Sequence, residues 1–398
     1  MKVVLSHWPD INENDISAVT NQLLSGELSS AGKIEVVNSL EDKFKCLTGC
    51  KYSIAMSSGT VALYSALFAL GISPKDEVIV PVYTYHAVAA PLIAMNVTPI
   101  FVDIDEVFGH INSEKIEQSI TNRTKAIIVV HSYGYPINME PILNIAKKHC
   151  FRVIEDCSHA HGSEFKGKSV GGIGDVGFFS LQASKLVPAG EGGILVTDSQ
   201  EIYEKALLLG HHFARTSLDI KSQHLRKFIQ TGLGLKFRIN PLGAALANSQ
   251  FERLPEFIQE KQEMYRYISD RLSTLPEIEP IFPEDYMTIS TFYSYRFKYK
   301  SWKDKKFDQF LMELKKKNIC ISKPSGMLLN KENIFNEEGF DFGLIHKNCQ
   351  DSANRNVQFD GANNYVNSIF RIPSFYSSKA NLDEFLDQIC SIYYQVHQ

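Results

Sequence analysis

Between residues 60 and 198 the sequence alternates between short β-branched runs and apolar helical segments. The short runs are apolar nearly throughout, which is typical of strands that are covered on both faces of a parallel sheet. This alternation predicts an α/β fold. The predicted strands are 76–81, 98–105, 125–131, 151–157, 178–181 and 194–198, and the predicted helices are 60–70, 86–96 and 141–150.

The pattern changes after residue 250, where a long amphipathic segment precedes an alternating strand. We therefore predict two domains, an α/β domain of residues 1–250 and a smaller α+β domain of residues 251–398. Residues 324–365 show no pattern that predicts an element. The elements predicted for the second domain are helices at 251–275, 306–318 and 381–397 and strands at 291–300 and 318–322.

The charge and composition of the chain argue against several classes of partner. The net charge is −4, and lysines and arginines alternate with acids, so neither nucleic acid nor an anionic membrane is an expected partner. The seven cysteines are scattered, which predicts reduced thiols and a cytoplasmic location. His159 and His161 have no third ligand at suitable spacing, so we expect no metal.

Three short stretches are each compatible with chemistry or with ordinary structure. The turn 57–60 precedes an apolar helix and could bind a phosphate, although serine is also a common N-cap. Asp156 ends a predicted strand and could hold a cationic ligand atom or cap the next turn. Lys185 follows an apolar run, where a lysine can act as a nucleophile or extend to the surface. Taken singly, the first two favour ordinary caps and the third is undecided.

A literal GxGxxG occurs in the stretch GGIGDVG at 171–177. A dinucleotide site requires a strand before this motif and a helix after it. Here a polar turn precedes the motif and a strand-like run follows it, so we reject a dinucleotide site.

Combined, these signals point to one cofactor. A phosphate-binding helix start, the carboxylate of Asp156, the amine of Lys185 and the hydroxyl of Ser180 are the parts needed to hold pyridoxal 5′-phosphate (PLP). The lysine would bind the aldehyde, the acid would keep the ring nitrogen protonated, and the helix start would take the phosphate.

The order and wording of the motifs resemble the PLP-dependent sugar aminotransferases of the DegT/StrS type. This resemblance implies fold type I of the PLP-dependent transferases, with a mainly parallel seven-stranded sheet, a smaller C-terminal domain and a homodimer that shares its active sites. The matching stretches are SSGTVAL (57–63), DEVIVPVYTYHA (76–87), PIFVDID (99–105), VIEDCSHAHGS (153–163), GDVGFFSLQASKLVPAGEGG (174–193) and GLGLKFRINPLGAALANSQ (232–250).

The resemblance also implies roles for individual residues. Lys185 matches the lysine that forms the Schiff base and transfers the proton, and Asp156 matches the acid at the pyridinium nitrogen. The other implied cofactor contacts are Ser58, Gly59 and Thr60 in the phosphate turn, Ser180 on the phosphate side, Tyr85 stacked on the ring, His159 near the phenolic oxygen, Gln182, and Lys236. Lys236 replaces an asparagine that reaches the partner subunit's phosphate, and His159 replaces a glutamine and could titrate.

The implied reaction moves an amino group from glutamate or glutamine to the ketone of a sugar or cyclitol, free or nucleotide-linked. The motif sequences most resemble those of the scyllo-inosose branch of the family. The stretch RIPSFYSS at 371–378 departs from the histidine-containing pattern expected in that branch. Arg238 and Glu191 are expected to contact the substrate, and Arg215 is a further cation expected near the site. Two alternatives remain: a PLP-dependent sugar dehydratase, which would carry histidine in place of Lys185, and a non-catalytic homologue.

Overall fold

The computed structural model of the chain describes residues 8–324, 328–335, 357–373 and 379–397. The described residues form thirteen β-strands: β1 Tyr52–Met56, β2 Glu77–Pro81, β3 Thr98–Val102, β4 Thr124–Val130, β5 Arg152–Asp156, β6 Glu164–Phe165, β7 Lys168–Ser169, β8 Val176–Ser180, β9 Gly193–Thr197, β10 Ile278–Pro280, β11 Met287–Ile289, β12 Ser294–Tyr299 and β13 Ile369–Pro373.

The same residues form fourteen α-helices: α1 Glu13–Ser25, α2 Glu35–Thr48, α3 Gly59–Ala69, α4 Ala90–Ala94, α5 Ser113–Ile116, α6 Met139–His149, α7 Gln200–Gly210, α8 Phe213–Asp219, α9 Gln223–Arg226, α10 Pro241–Glu252, α11 Leu254–Leu272, α12 Lys305–Lys316, α13 Asp360–Ser368 and α14 Lys379–His397. Short 3₁₀-helices lie at His86–Val88, Glu117–Ser119, Ser132–Gly134, Leu329–Lys331 and Asn333–Phe335.

The largest sheet has seven strands in the order β1-β9-β8-β5-β4-β2-β3. The pairs β2–β3, β2–β4, β4–β5 and β5–β8 are parallel, whereas β9 runs antiparallel to both of its neighbours, β1 and β8. The predicted α/β fold with a mainly parallel seven-stranded sheet is therefore confirmed.

The central strands are apolar throughout because both faces of the sheet are covered. In β2, the side chains of Val78 and Val80 belong to one apolar cluster, and Ile79, which points the other way, belongs to a second cluster. All three residues are fully buried. This is why the strands lack the polar alternation of a half-exposed sheet.

The second part of the chain forms an antiparallel sheet in the order β10-β12-β13. Its central residue Phe297 and residues of α11 such as Tyr265 belong to the same apolar cluster as Val78 of the large sheet. A domain boundary at residue 250 stays a prediction. Among the described residues, no helix has both the length and the apolar character needed to cross a membrane.

Three of the predicted elements differ in the structure. The segment 86–96 is a 3₁₀ turn followed by α4, because Pro91 can begin a helix but cannot continue one. The helix predicted from residue 251 begins at Leu254, with Pro255 in its first turn. The strand predicted at 318–322 is wrong, since only Ser322 pairs there, in a single bridge with Arg371. Much of 324–365 lies outside the described residues.

Candidate functional site

A cavity of about 830 Å³ opens at the carboxyl edge of the large sheet. Its size lies in the range of ~300–1,000 Å³ that is usual for small-molecule and cofactor sites. Strands β1, β2, β4, β5 and β8 all end at this edge. Residues at or just after these strand ends line the cavity: Ser58–Thr60, Tyr83–Val88, Ser132 and Tyr133, then Asp156, Ser158 and His159, and finally Gln182, Ser184 and Lys185.

Lys185 lies in the loop that joins β8 to β9. The loop is closed by backbone hydrogen bonds, in which Leu181 N–H donates to Gly192 O at 2.9 Å and Ala189 N–H donates to Leu181 O at 2.7 Å. The Lys185 N–H donates to Gln182 O at 2.8 Å. The side chain is half-buried, and its ammonium lies 4.6 Å from the centre of the Tyr293 ring. The loop thus points the amine of Lys185 into the cavity.

Asp156 is the last residue of β5, and its side chain lines the same cavity. The residue is 6% exposed, and one carboxylate oxygen accepts the Ser158 N–H at 2.9 Å. Burial raises the pKa of Asp156 above its ordinary value, although the hydrogen bond from Ser158 and the charge of Lys185 act against this shift. A cationic ring nitrogen placed beside Asp156 would favour its ionised form.

The turn before α3 contains a serine N-cap and also has the shape of a possible phosphate site, the two alternatives that the sequence left open. Ser58 is the N-cap of α3, and its hydroxyl accepts the Val61 N–H at 3.1 Å. The backbone of the turn packs closely on β8 and β9: a Cβ added to Gly59 would lie 3.0 Å from the Cβ of Ser180, and one added to Gly193 would lie 2.3 Å from the carbonyl carbon of Ser58. The turn therefore forms a narrow cradle that ends at the start of a helix.

The glycine motif at 171–177 has a structural partner in the same chain. The carboxylate of Glu155 accepts N–H groups from Gly171 at 2.9 Å, from Ile173 at 2.7 Å and from Gly174 at 2.6 Å. The amides of this loop thus bind a protein carboxylate rather than a nucleotide phosphate, and they anchor the residue next to Asp156.

Glu155 also contacts His131, and Cys157 lies close to both. The His131 Nε2 is 3.1 Å from Glu155, and all three residues are buried. Because the Glu155 oxygens already accept three backbone N–H groups, we assign this group to the anchoring of β5 and not to a metal site.

His159 stacks on Tyr293 in the cavity wall, with ring centres 4.0 Å apart and planes 7° apart. Burial lowers the pKa of His159 well below its ordinary value, and the charge of Lys185 lowers it further. Both effects favour the neutral imidazole of His159 in the folded protein.

Several cavity residues were not predicted from the sequence. Tyr83 and Tyr133 line the cavity, and their hydroxyl oxygens are 3.2 Å apart. Tyr133 has a φ of 56°, a left-handed conformation that is uncommon outside glycine and often marks functional sites. The C-terminal part contributes Tyr293 and Arg371, together with Leu329 and Glu332. Aromatic residues directly after a predicted strand were the available signal for Tyr83 and Tyr133.

Some predicted residues lie in the cavity wall with other contacts. Tyr85 lines the cavity but is 68% exposed in the single chain, and Glu191 is exposed at its margin. The side-chain oxygen of Gln182 accepts the N–H of Ser184 at 2.8 Å and its hydroxyl at 2.6 Å, so Gln182 shapes the lysine loop.

Three cations predicted near the site are placed differently. Lys236 and Arg238 do not belong to the lining of the described cavity, although the adjacent Phe237 O accepts the Ser57 N–H at 2.8 Å. Their contacts with ligands stay predictions. Arg215 is buried and donates to both oxygens of Glu41, at 2.8 and 2.9 Å. It is thus committed to an internal ion pair, and it does not line the cavity near which it was expected to lie.

Comparison with known proteins identifies the class to which this fold and cavity belong. The sequence profile of the DegT/DnrJ/EryC1/StrS aminotransferase family matches residues 9–356, and the chain belongs to this family. It is therefore an aminotransferase of a sugar aminotransferase family whose members depend on PLP.

Individual relatives agree with this class. GDP-perosamine synthase of Escherichia coli O157:H7 is 37% identical over 278 residues, covering 70% of this chain and 74% of that protein. A putative L-glutamine:3-amino-2,3-dideoxy-scyllo-inosose aminotransferase of Micromonospora echinospora is 31% identical over 316 residues, covering 77% and 73%. The X-ray structure of the aminotransferase from Psychrobacter cryohalolentis has a TM-score of 0.86 at 25% identity and covers 99% of this chain and 100% of that one.

Proposed function

We propose that this chain binds PLP and moves an amino group from glutamate or glutamine to the ketone of a sugar or cyclitol in the cytoplasm. One observation carries the proposal: Lys185, Asp156 and the start of α3 converge on a single cavity although they are far apart in sequence. Each alone has an ordinary structural explanation, but their convergence fits the three functional ends of PLP.

The residues present fit this cofactor. Gly59 and Gly193 pack so closely on Ser180 and Ser58 that neither has room for a Cβ, and N–H groups at a helix start favour a phosphate. Asp156 is buried with a raised pKa and would pair with a protonated ring nitrogen. Lys185 supplies the amine that would hold the aldehyde carbon.

PLP, when bound, supplies an electron sink for the carbon that loses or gains a proton. The chain supplies the proton transfer. Lys185 Nζ would take the α-proton of the amino-acid donor in the first half-reaction and deliver a proton to the former ketone carbon of the acceptor in the second. The lowered pKa of His159 favours a neutral imidazole that would offer a hydrogen bond to the cofactor, and its stacking on Tyr293 orients the imidazole plane.

The acceptor would occupy the part of the cavity that the cofactor leaves free. The lining includes the charged groups of Arg371, Glu191 and Glu332 and the hydroxyls of Tyr83 and Tyr133. Such a mixture suits a polyhydroxylated ketone, whose hydroxyl groups both donate and accept hydrogen bonds. The names of the relatives support the same class, since they include one nucleotide-linked sugar and one free cyclitol.

The cavity is completed by a second copy of the chain. Tyr85 is 68% exposed, and the segment around Lys236 carries exposed apolar residues, Leu233 at 52% and Leu235 at 44%. A homodimer that covers this surface would bury these side chains and bring Lys236 to the partner's phosphate cradle.

The first experiment adds PLP to the purified protein and measures visible absorption. Wild type should develop the band of PLP joined to a lysine, and Lys185→Ala should not, whereas Lys51→Ala, which removes an exposed lysine, should behave as wild type. Absence of the band in wild type would overturn the proposal.

The second experiment tests transfer itself. The band should disappear on addition of glutamate or glutamine and return on addition of a keto-sugar or keto-cyclitol. Loss of the acceptor's oxygen without gain of nitrogen would indicate the dehydratase alternative, against which Lys185 argues. No response to any donor would indicate a non-catalytic homologue.

A further inference from the structure

We infer that Trp8 is a positioning residue for Lys185. The indole N–H of Trp8 donates to the backbone carbonyl of Lys185 at 3.2 Å, across 177 positions of sequence. The functional meaning rests on the proposed role of Lys185, but the contact is a property of the chain alone. It joins the segment before α1 to the loop that carries the reactive amine.

The backbone hydrogen bonds that close the lysine loop lie at its base, so a further contact near Lys185 would help to hold the tip. Its closing bonds are at its base, where Leu181 meets Gly192 and Ala183 N–H donates to Gly190 O at 2.9 Å. At the tip, the Ser184 hydroxyl is 2.8 Å from the Tyr293 hydroxyl. Trp8 adds a hydrogen bond at the next residue, where its N–H donates to the Lys185 carbonyl. The backbone around Lys185 is thus held through Ser184 by Tyr293 and through its own carbonyl by Trp8.

Trp8 is itself held firmly by α11. Its ring meets Phe257 edge-on at 5.3 Å between centres, and Lys261 Nζ lies 5.4 Å from the indole centre. Burial lowers the pKa of Lys261 to about 7, so packing against Phe257 and the lysine side chain, more than a full cation–π attraction, favours this orientation of the indole. The N–H therefore approaches the loop from a rigid support.

The chain that follows Trp8 is anchored to the junction between α10 and α11. Arg253 donates to the Asp10 carboxylate at 2.6 Å and to Asp15 at 2.9 Å, and Gln250 donates to Asp15 at 2.7 Å. Asp15 is buried. Buried charge-assisted bonds are among the stronger ones in proteins, so the segment cannot shift without disturbing α11.

The position of Lys185 Nζ depends on its own backbone. Proton transfer requires this atom at hydrogen-bond distance from the reacting carbon, and small displacements slow such steps considerably. Trp8 is not part of the cavity lining, so its loss should reduce the rate of proton transfer and leave substrate affinity unchanged.

The test begins with the cofactor-free protein and amide hydrogen exchange of the peptide 181–192. Trp8→Phe keeps an aromatic ring but replaces the indole with a smaller phenyl ring that has no N–H, and should accelerate exchange there about 3- to 10-fold. Trp302→Phe, which changes the tryptophan of the C-terminal part, should not. Phe257→Leu leaves the indole but removes its support, and should give a smaller rise at the same peptide. Unchanged exchange in Trp8→Phe and Phe257→Leu would overturn the inference.

The second arm uses the PLP-loaded enzyme with normal and α-deuterated glutamate. Trp8→Phe should lower kcat about 3- to 10-fold with unchanged KM and should increase the deuterium isotope effect, because proton transfer becomes slower relative to the other steps. An equal change in KM, or an unchanged isotope effect, would overturn the positioning role. If wild type forms no PLP band, the proposed function fails, while the exchange experiment still decides whether Trp8 holds the loop.

Discussion

The two walls of the cavity have different origins. One wall is built at the carboxyl edge of the large sheet and carries Asp156, Ser180 and Lys185. The other is built by the C-terminal part and carries Tyr293 and Arg371. The first wall consists of short stretches that each follow one strand, whereas the second is assembled from separate loops and from β13.

We expect the first wall to carry out the reaction and the second wall to select the substrate. Asp156, at the end of β5, and Lys185, in the loop between β8 and β9, lie on the sheet wall and are the acid and the amine proposed for the reaction. The C-terminal wall provides polar and aromatic groups around the space left for a substrate. We therefore expect changes in the sheet wall to abolish the reaction and changes in the C-terminal wall to reduce or redirect it.

The largest expected effect tests the sheet wall at Asp156. Asp156→Asn keeps the shape but removes the charge that would keep the ring nitrogen protonated, and should lower kcat/KM by roughly 10²- to 10³-fold in single-turnover assays. Asp198→Asn is the matched control, because it follows antiparallel β9 at the opposite edge of the sheet and is exposed. A loss below fivefold in Asp156→Asn would contradict the assignment.

The phosphate cradle should be the next most sensitive place. In Gly193→Ala the new Cβ would lie 2.3 Å from the Ser58 carbonyl carbon, so the turn must move. We expect about 1–3 kcal/mol lower free energy of unfolding and weaker PLP binding, measured by urea denaturation and by titration. Gly32→Ala, which has open space around it, should change neither. Wild-type PLP affinity in Gly193→Ala would show that the cradle does not hold the phosphate.

Buried histidines outside the cavity lining should make the stability of the protein depend on pH. Burial lowers the pKa of His161 to about 3 and that of His110 to about 4, so both are neutral in the folded protein. The unfolded chain protonates them below about pH 6.5 and then binds more protons than the folded state. The free energy of unfolding should therefore fall from pH 6.5 toward pH 4, by about 1.4 kcal/mol per pH unit for each histidine.

Urea denaturation of the cofactor-free protein between pH 7.5 and 5 measures this slope. His161→Gln should reduce the pH dependence of the free energy of unfolding by the contribution of one proton, about 1.4 kcal/mol per pH unit. His224→Gln, at an exposed position, serves as the control for the substitution. Asp156 opposes the effect, because its raised pKa gives the folded state the extra proton at lower pH. An identical slope in wild type and His161→Gln would exclude His161 as a source.

The smallest effect concerns the C-terminal wall. Tyr293→Phe removes the hydroxyl that lies 2.8 Å from Ser184 but keeps the ring under Lys185 and His159. One hydrogen bond corresponds to about 0.5–1.5 kcal/mol, so kcat should fall about 2- to 10-fold, with steady-state kinetics as the measurement. A loss as large as that of Asp156→Asn would remove the distinction between the two walls.

Much of the fold followed from the sequence because its signals are local. The apolar runs of β2 to β5 predicted a covered parallel sheet, and the structure has one. The proline at position 91 is the kind of signal that was present and not used, since it begins α4 after a 3₁₀ turn. The strand predicted at 318–322 failed because an apolar run becomes a strand only where a partner pairs along it, and Arg371 pairs at one residue.

The sequence by itself determined that Asp156 ends one strand, that Lys185 follows another, and that a small-residue turn begins an apolar helix. Parallel strands bring such residues to one edge, so these local features together were sufficient to propose a PLP site. Only the tertiary structure decided that Tyr293 lies beside the Lys185 amine, that Arg215 pairs with Glu41, and that the Trp8 N–H reaches the Lys185 carbonyl. Those contacts join distant segments through packing, and no periodicity or spacing in the sequence encodes them.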